Sequence, residues 1–546
     1  MNRIALFNGD IWSMASPLER NEALLIEGGL IKKIGRNDEI LKLCAEDMGA
    51  RMIDLDGKTV LPGFIDSHIH FESNALAMIQ VDLKYPKVET IKDIQNELRK
   101  SVKTSGNLLP GEKMEDAWIV GNLYDHNKLA EKKHPDKSDL DAVSLEQPIL
   151  IFHISGHMVA VNSKALEAAG ITRETIDPAG GKIERDSEGE ATGVLYETAF
   201  NLAINKIPQY SRAEKIKSIE KSVEMNLEKG ITSVHDMGVE DYTVDMEMYF
   251  QMLGNFQLKT RVSILYPYDS PEKAEADLSN EDSYFNKYFK MNNDFIKLSG
   301  LKCFSDGSMI GRTAAVKKPY RDKPGNGMML LTNEQLTKMA RLAYENQMQL
   351  GIHAIGDRAI ESCLDAYEKI LLKDGEYEGD NRFRIEHCGI GSDEAFERMR
   401  KINVLIASQP KFIQDFGDGI LLNYDKDVID NIYEFNTMLK HDLHLSFGSD
   451  GPVTWPDPIS AIRCAVDRKT EEGKDFVQEE NISLYDAVKC HTYEGAYASF
   501  EEDRKGMLRE GFFADMVILS DKLSIGTLSK IKVEKTILDG RIVFEN

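Results

Sequence analysis

Eight short apolar runs divide the middle of this chain, and segments with helical periodicity separate several of them. The runs are Phe64 to Ile69, Ile231 to Asp236, Val262 to Tyr266, Leu298 to Phe304, Leu350 to Ala354, Phe383 to His387, Val404 to Ser408 and Leu445 to Asp450. The segment 333–347 has apolar residues on one helical face. Eight strands that alternate with helices predict an α/β protein built on a (β/α)8 TIM-type barrel, whose functional residues gather at the C-terminal ends of the strands.

Candidate metal ligands lie at the ends of these runs. His68 and His70 close the first run, and because residues two apart on a strand face the same side, both imidazoles reach one point. Neutral imidazole is a favoured ligand for zinc. The pair alone fits two polar residues capping a buried strand equally well. His353, His387 and Asp450 end later runs in the same way, which favours the interpretation as ligands.

Lys302 lies inside the apolar run Leu298 to Phe304. Lysine is seldom fully buried unless it is paired, modified or bound to a metal. The residues alone leave two interpretations open, a modified lysine that bridges metals and an ion pair beneath the site. Cys303 and Cys388 each follow a candidate ligand and should face away from it as small buried residues. Lys297, near the start of the run, is expected to be exposed.

Longer motifs surround these candidates. They are Lys302–Tyr320 (KCFSDGSMIGRTAAVKKPY), His353–Ala359 (HAIGDRA), Arg384–His387 (RIEH), Ser408–Pro410 (SQP), Gly448–Pro452 (GSDGP), Gly156–Leu166 (GHMVAVNSKAL) and Thr192–Glu197 (TGVLYE). Together they resemble the amidohydrolase superfamily, and in particular its YtcJ-like branch, whose relatives include the N-substituted formamide deformylases. The resemblance covers nearly the whole chain. It departs at Tyr124, where a tryptophan is expected nearby, and this predicts a differently shaped pocket.

The resemblance implies a site that holds one or two divalent metal ions, with Zn²⁺ expected. The implied metal ligands are His68, His70, Lys302, His353, His387 and Asp450. In the family the lysine is often carboxylated on its amine and bridges two metals. We interpret Asp450 as the general base and acid, and His157 as a second catalytic candidate that reaches the substrate carbonyl. Asp66 has the plainer interpretation of a structural acceptor.

The two ends of the chain share a different pattern, in which short apolar runs alternate with turn pairs such as Asn8-Gly9 and Asp539-Gly540. We predict that residues 1–60 and 505–546 form one small β-sandwich domain, as the resemblance implies. Residues 61–504 are then the barrel. Residues 72–215, between its first and second strands, are too long for a loop and contain strand signals of their own, so we predict an ordered insertion that acts as a lid.

Composition limits the partners. The chain of 546 residues has 42% hydrophobic and 29% charged residues, as ordinary globular proteins do. A formal net charge of −24 argues against nucleic acid or an anionic membrane as a partner. No signal-like or membrane-spanning stretch is visible, and six cysteines do not indicate a disulfide framework. We expect a cytoplasmic enzyme with a small-molecule amide substrate. The sequence leaves open whether the protein forms a homodimer.

The remaining histidines receive plain interpretations. Four lie in polar surroundings and are predicted at the surface: His126, His134, His441 and His444. His235 is expected near the mouth of the site, and His491 is expected to pack on a helix after the barrel.

The leading hypothesis is a metal-dependent hydrolase that cuts a carbon–nitrogen bond other than a peptide bond, most simply in a linear amide. A deaminase or cyclic amide hydrolase of the same superfamily is the first alternative. Deaminases commonly place a glutamate shortly after the third metal histidine, whereas His353 here precedes Ala-Ile-Gly-Asp357. The second alternative is a catalytically inactive barrel with a regulatory or binding role, and the presence of every expected ligand argues against it.

Overall fold

The central feature of the computed structural model is a sheet of eight parallel strands, which we number β1 to β8. The structure describes residues 3–46, 49–103, 114–178, 180–238, 242–321 and 325–546. The strands are β1 (Phe64–Ile69), β2 (Ile231–Asp236), β3 (Arg261–Pro267), β4 (Ile296–Phe304), β5 (Gln349–Ala354), β6 (Arg384–His387), β7 (Leu405–Ser408) and β8 (Leu445–Phe447). They pair in chain order, as the sequence predicts.

The sheet curves until β8 lies beside β1. The backbone N–H of Asp450 donates to the carbonyl of His68 at 2.7 Å, and that of His70 donates to the carbonyl of Gly451 at 2.9 Å. A side chain at Gly448 would place its Cβ 2.5 Å from the backbone nitrogen of His68, so glycine permits this close approach. Every residue of β1 and β2 is buried, as expected for parallel strands covered on both faces. The predicted TIM-type barrel is confirmed.

Helices surround the barrel, and local capping explains where several of them begin. Ser211 and Thr332 form capping boxes at the starts of helices Arg212–Glu228 and Asn333–Glu345. The second of these helices buries Leu336, Met339, Ala340 and Ala343, the face predicted from periodicity. The other α-helices after β1 are Phe71–Ala77, Ile91–Arg99, Lys137–Asp141, Ser163–Ala169, Asn201–Ile204, Tyr242–Gly254, Pro271–Ser279, Tyr284–Phe289, Asp357–Leu371, Asp393–Lys401, Lys411–Asn423, Lys426–Ile429, Phe435–Lys440, Pro458–Asp467, Leu484–Cys490 and Tyr493–Ala498.

The two ends of the chain share a six-stranded sheet. Its members, in spatial order, are Arg541–Glu545, Val533–Leu538, Met516–Leu519, Thr59–Pro62, Asp10–Trp12 and Arg20–Asn21. A four-stranded sheet of Leu30–Gly35, Ala23–Glu27, Arg3–Phe7 and Arg51–Asp54 accompanies it, with helix Asn37–Glu46. Apolar residues of both sheets, such as Leu24 and Ile518, belong to one buried cluster. The sandwich arrangement and the domain boundaries at 60 and 505 stay predictions.

A further six-stranded sheet lies between β1 and β2 in the sequence. Its strands, in spatial order, are Gly181–Arg185, Ala191–Glu197, Met158–Val161, Ile149–His153, Ile119–Tyr124 and Val81–Asp82. Strands Ile119–Tyr124 and Ile149–His153 correspond to the apolar runs 117–121 and 149–153, which predict strands in this region. The role of residues 72–215 as a lid stays a prediction.

A helix that crosses a bilayer must be both long and apolar. Within the described ranges, no helix meets both requirements.

Candidate metal centre

The histidine pair at the end of β1 meets a carboxylate from the turn after β8. Asp450 Oδ1 lies 3.3 Å from His68 Nε2 and 3.4 Å from His70 Nε2. One ligand atom from each residue lies within 4.8 Å of the other two. Two imidazoles and a carboxylate are a donor set that suits zinc and similar divalent cations. The three residues therefore offer one face of a metal site.

His353 and His387 extend this group. The ring centroid of His387 is 4.7 Å from that of His68 and 4.5 Å from that of His353, so the four imidazoles form one cluster. Burial lowers the pKa of His387 to about 3 and holds the pKa of His353 well below its ordinary value. Both rings are therefore neutral near pH 7 and can present a lone pair to a cation.

Hydrogen bonds determine which ring nitrogen carries that lone pair. His387 Nδ1 lies 2.7 Å from Gln409 Oε1, which only accepts, so this nitrogen carries the proton and Nε2 stays free. Gln409 is oriented in turn because its Nε2 donates to the carbonyl of Ala407. His353 donates from Nε2 to the carbonyl of Gly307 at 3.0 Å, which leaves its Nδ1 free. These contacts prepare two rings for metal binding.

A buried ion pair orients His68. Its Nδ1 donates to Glu386 Oε2 at 2.5 Å, so Nε2 faces Asp450 with its lone pair. Arg384 Nε lies 2.7 Å from Glu386 Oε1, and Arg384 Nη2 donates to Oε2 at 3.0 Å. Burial raises the pKa of Glu386, but Arg384 and His68 outweigh it and hold that pKa well below its usual range. Glu386 is therefore a permanent carboxylate that fixes the tautomer of His68.

His235 lies beneath this pair and not at the mouth of the site. Its Nδ1 is 3.2 Å from Arg384 Nη1, and the side chain is fully buried. The expectation of a mouth position is corrected, because β2 directs this ring into the barrel interior, where it contacts Arg384.

Lys302 is completely buried within the barrel. Among the described residues, its Nζ has no hydrogen-bond partner and lies 4.6 Å from the centroid of the Phe304 ring. Burial lowers the pKa of this amine. A buried amine without a hydrogen bond is costly, and this fits a position that a modification or a metal completes.

Lys297 differs from the sequence expectation. It is half-buried, and its Nζ donates to the carbonyl of Ser499 at 2.6 Å, because the chain after helix Tyr493–Ala498 covers the start of β4. The prediction that Lys297 is exposed was wrong, whereas Cys303 and Cys388 are buried in the apolar core as predicted.

His157 reaches the cluster of four imidazoles from the sheet between β1 and β2. Its ring centroid is 5.2 Å from that of His353. Burial lowers the pKa of His157, but Glu197, whose Oε2 lies 2.8 Å from Nδ1, raises it above its ordinary value on balance. A side chain at Gly307 would bring its Cβ within 2.5 Å of Glu197 Oε1. The glycine thus leaves room for the carboxylate that orients His157.

Asp66 holds the strand and the turn together. Its Oδ1 accepts from the backbone N–H of Ser449 at 2.9 Å and from that of His68 at 3.3 Å. Asp450, which follows Ser449, has a φ of 57°, an unusual conformation for a residue with a side chain. Asp66 is the structural acceptor that the sequence indicated.

The four histidines predicted at the surface are all half-buried. His126 and His134 are half-buried and meet His153, with His126 Nδ1 3.0 Å from His153 Nε2. The prediction failed because both belong to a turn that folds back onto the neighbouring strand. His441 pairs with Asp393, and His444 pairs with Glu494 near the surface. His491 packs between the rings of Phe64 and Phe447.

Four residues that support the site received no role from the sequence: Glu197, Arg384, Glu386 and Gln409. Each lies inside one of the motifs quoted above. Their position in those motifs was the available signal, but their partners became visible only in three dimensions.

Comparison with known proteins identifies the family of the chain. The model of the amidohydrolase family matches residues 51–544. Putative amidohydrolase YtcJ of Bacillus subtilis is 30% identical over 98% of both chains, and N-substituted formamide deformylase of Arthrobacter pascens is 25% identical over 100% of this chain and 99% of that one. An uncharacterized metal-dependent hydrolase from Pyrococcus horikoshii has a TM-score of 0.73 at 25% identity, with 95% of this chain and 97% of that chain covered.

The family match spans most of the chain, and the site offers the donors that a divalent metal requires. The chain therefore belongs to the amidohydrolase family, in its YtcJ-like branch, and is a metal-dependent hydrolase.

Proposed function

We propose that this protein hydrolyses a linear amide, a carbon–nitrogen bond other than a peptide bond, with one or two zinc ions. The observation that carries the proposal is the position of Asp450, whose carboxylate lies 3.3 and 3.4 Å from the Nε2 atoms of two candidate ligands, His68 and His70. A carboxylate there is close enough to exchange a proton with a water at the metal position. The relative that bears the name N-substituted formamide deformylase supports an amide as the substrate.

The proposed ligands are His68, His70, Lys302, His353, His387 and Asp450. The free lone pairs of His68, His353 and His387 fit a divalent metal, and so does the buried amine of Lys302, which has no hydrogen bond among the described residues. When bound, such a metal lowers the pKa of water toward neutrality and polarises a carbonyl group. Hydrolysis of an amide requires both effects.

Asp450 then moves the proton. Burial raises its pKa, but the adjacent imidazoles of His68 and His70 outweigh this effect and hold the pKa well below its ordinary value. Asp450 is therefore ionised and accepts a proton from the attacking water. It returns that proton to the amine nitrogen as the carbon–nitrogen bond breaks, so the products are a carboxylic acid and an amine.

His157 binds the carbonyl oxygen of the substrate. Because Glu197 raises its pKa, the ring retains a proton to a higher pH and donates from Nε2 while Nδ1 stays on the carboxylate. This hydrogen bond stabilises negative charge that develops on the oxygen. This hydrogen bond positions the substrate beside the candidate ligands, because the ring centroid of His157 is 5.2 Å from that of His353.

Lys302 is proposed to carry a carbamate. Burial lowers the pKa of its amine, which increases the fraction of neutral amine that can attack carbon dioxide. The nitrogen–carbon bond forms as one proton leaves the amine. The product is an anion that suits a bridge between two cations, whereas an ammonium group would repel them.

The remaining parts of the architecture support this site. We propose that the sheets at the two chain ends form a β-sandwich domain of residues 1–60 and 505–546, and that residues 72–215 are a lid over the barrel of residues 61–504. The shared apolar cluster of the end sheets supports the first part. The contact of His157 with His353 supports the second.

A deaminase is the alternative with the most specific sequence test, and the structure does not favour it. Asp357, the first acidic residue after His353, begins helix Asp357–Leu371 and accepts from the backbone N–H of Lys317 at 2.8 Å. Its carboxylate is thus engaged outside the metal cluster.

Metal analysis and a substrate screen test the proposal together. Protein purified without chelator and supplemented with zinc should carry one or two zinc-class ions per chain, and it should hydrolyse members of a panel of N-formyl, N-acyl and cyclic amides. Asp450→Asn should slow every substrate, whereas His157→Ala should act unevenly across the panel. Less than about a tenth of an equivalent of any transition metal would refute the metal assignment. Release of ammonia from an aminated ring without cleavage of any amide would favour the deaminase.

A further inference from the structure

Three histidines of the sheet between β1 and β2 meet at the carboxyl ends of two neighbouring parallel strands. His153 ends strand Ile149–His153, and Tyr124, the last residue of strand Ile119–Tyr124, is its register partner. His126 and His134 lie in the turn that follows Tyr124. One ring nitrogen from each of the three histidines lies within 4.8 Å of the other two.

The distances between these nitrogens suit a small cation. His126 Nδ1 and His153 Nε2 are 3.0 Å apart. Two nitrogens that bind one tetrahedral zinc at its usual bond length stand about 3.4 Å apart. The separation of these two nitrogens is therefore close to that in a zinc site, whereas His134, which stacks on His126 with ring centroids 3.9 Å apart, must turn to direct a nitrogen at the same point.

A carboxylate completes the donor set. Asp125 is buried, and its Oδ1 lies 3.8 Å from His153 Nε2 and 4.0 Å from His126 Nδ1. Hydrogen bonds from the backbone and side chain of Asn127 hold this oxygen in place. Three imidazoles and one carboxylate are ligands that zinc and similar divalent metals favour.

Polar groups beside two of the rings can set their tautomers. Ser155 Oγ lies 2.9 Å from His153 Nδ1 and can accept a hydrogen bond from Nδ1–H when Nε2 binds a cation. The backbone N–H of Ser155 also faces Nδ1 at 3.1 Å, and this contact would be lost. The Tyr124 hydroxyl lies 3.1 Å from His134 Nδ1 and orients that ring.

The alternative account is a cluster held by hydrogen bonds alone. In it, His153 Nε2 donates to His126 Nδ1, the Tyr124 hydroxyl contacts His134 Nδ1, and His134 stacks on His126 with ring centroids 3.9 Å apart. In this account Asp125 accepts from Asn127 and takes no direct part in the contact between the two rings. A cation uses all four side chains.

We propose that Asp125, His126, His134 and His153 form a second metal site, which binds one zinc-class divalent ion apart from the barrel centre. The ion fastens the turn 125–134 to the end of strand Ile149–His153. Because His157 follows that strand by four residues, the second ion also stabilises the segment that presents His157 to the barrel. This inference does not depend on the reaction proposed above.

Cobalt binding in a background without the barrel centre tests the proposal. The full chain with His68→Ala and His70→Ala, stripped by a chelator and dialysed, should bind about one equivalent of Co²⁺ and show the intense visible bands of four-coordinate cobalt. Adding His134→Ala, or separately His126→Gln, should abolish the bands and that equivalent. His441→Ala, which removes a histidine paired with Asp393 outside this cluster, should change neither.

Circular dichroism verifies that each variant is folded. The number of metal ions per chain in the protein that retains His68 and His70 gives an independent measurement. There, His134→Ala should lower the total metal content by one ion per chain. The proposal is overturned if the background binds less than about a tenth of an equivalent, or if folded His134→Ala and His126→Gln variants retain the bands. Loss of metal at the barrel centre alone would refute the proposed function and leave this second site intact.

Discussion

Replacing Glu386 by glutamine tests whether the buried ion pair beneath His68 prepares the metal site. The carboxylate accepts from His68 Nδ1 at 2.5 Å and is paired with Arg384 at 2.7 and 3.0 Å. A glutamine side chain cannot satisfy both neighbours. If its oxygen faces His68, its NH₂ group opposes the donors of Arg384. If its NH₂ group faces His68, the ring proton moves to Nε2, the atom needed by the metal.

Both orientations therefore weaken metal binding at the barrel centre. Loss of such a supporting partner typically costs tenfold to hundredfold in metal affinity, which corresponds to about 1.4–2.7 kcal/mol. The variant also leaves the guanidinium of Arg384 buried without its counter-charge. Breaking a buried pair in this way costs about 3–5 kcal/mol of folding stability.

Competition with a chelator measures the affinity, and denaturant unfolding measures the stability. Glu494→Gln is the matched control, since Glu494 is also a buried carboxylate that accepts from a histidine, His444, at 2.8 Å and pairs with Lys489. The control should lower stability without changing metal affinity at the barrel centre. Wild-type metal affinity in a folded Glu386→Gln variant would refute the orienting role of this carboxylate.

Three further predictions concern other buried groups. Lys302→Ala should lower metal content or activity far more than Lys297→Ala. Growth on ¹³C-bicarbonate should give a carbamate carbon signal in the NMR spectrum, which Lys302→Ala removes and Lys297→Ala keeps. Full activity and metal content in Lys302→Ala would exclude the carbamate. Asp450→Asn should keep its fold and at least one metal while turnover falls roughly a hundredfold or more, and a near wild-type rate on its best amide would contradict the proton transfer. Burial, with Glu480 and Asp393, raises the pKa of Glu434 from 4.5 to about 8, so the native state holds a proton that the unfolded state releases. The free energy of unfolding should therefore fall as pH rises from 4.5 to about 8. Glu434→Gln should flatten this dependence of stability on pH. The same dependence in both proteins would show that Glu434 is ionised at pH 7.

The barrel was predictable because its strands are short apolar runs that end in chemically distinctive residues. A parallel strand buried on both faces needs such a run, and metal chemistry places histidine and aspartate at its end. His68, His70, His353, His387 and Asp450 could therefore be grouped before the structure was known.

The supporting residues could not be assigned in the same way. Glu386 precedes His387 in the chain, yet it serves His68, which belongs to a strand more than three hundred residues earlier. Lys297 looked exposed because the segment that covers it comes from the distant Ser499. His126 and His134 looked like surface residues because a polar turn gives no sign that it folds back onto His153. In each case the deciding contact depends on tertiary structure and leaves no local pattern.

The sheet shared by the two chain ends also determines the order in which the molecule can be completed. Leu61 pairs with Val517, so roughly 450 residues must be synthesised between the two partners. At ordinary translation speed this takes about 20–90 s. During that time the backbone of Thr59–Pro62 lacks its antiparallel neighbour, and an unpaired strand edge readily associates with other chains. Ribosome-bound intermediates of this protein should therefore depend on chaperones until strand Met516–Leu519 emerges, however early the first barrel strands form.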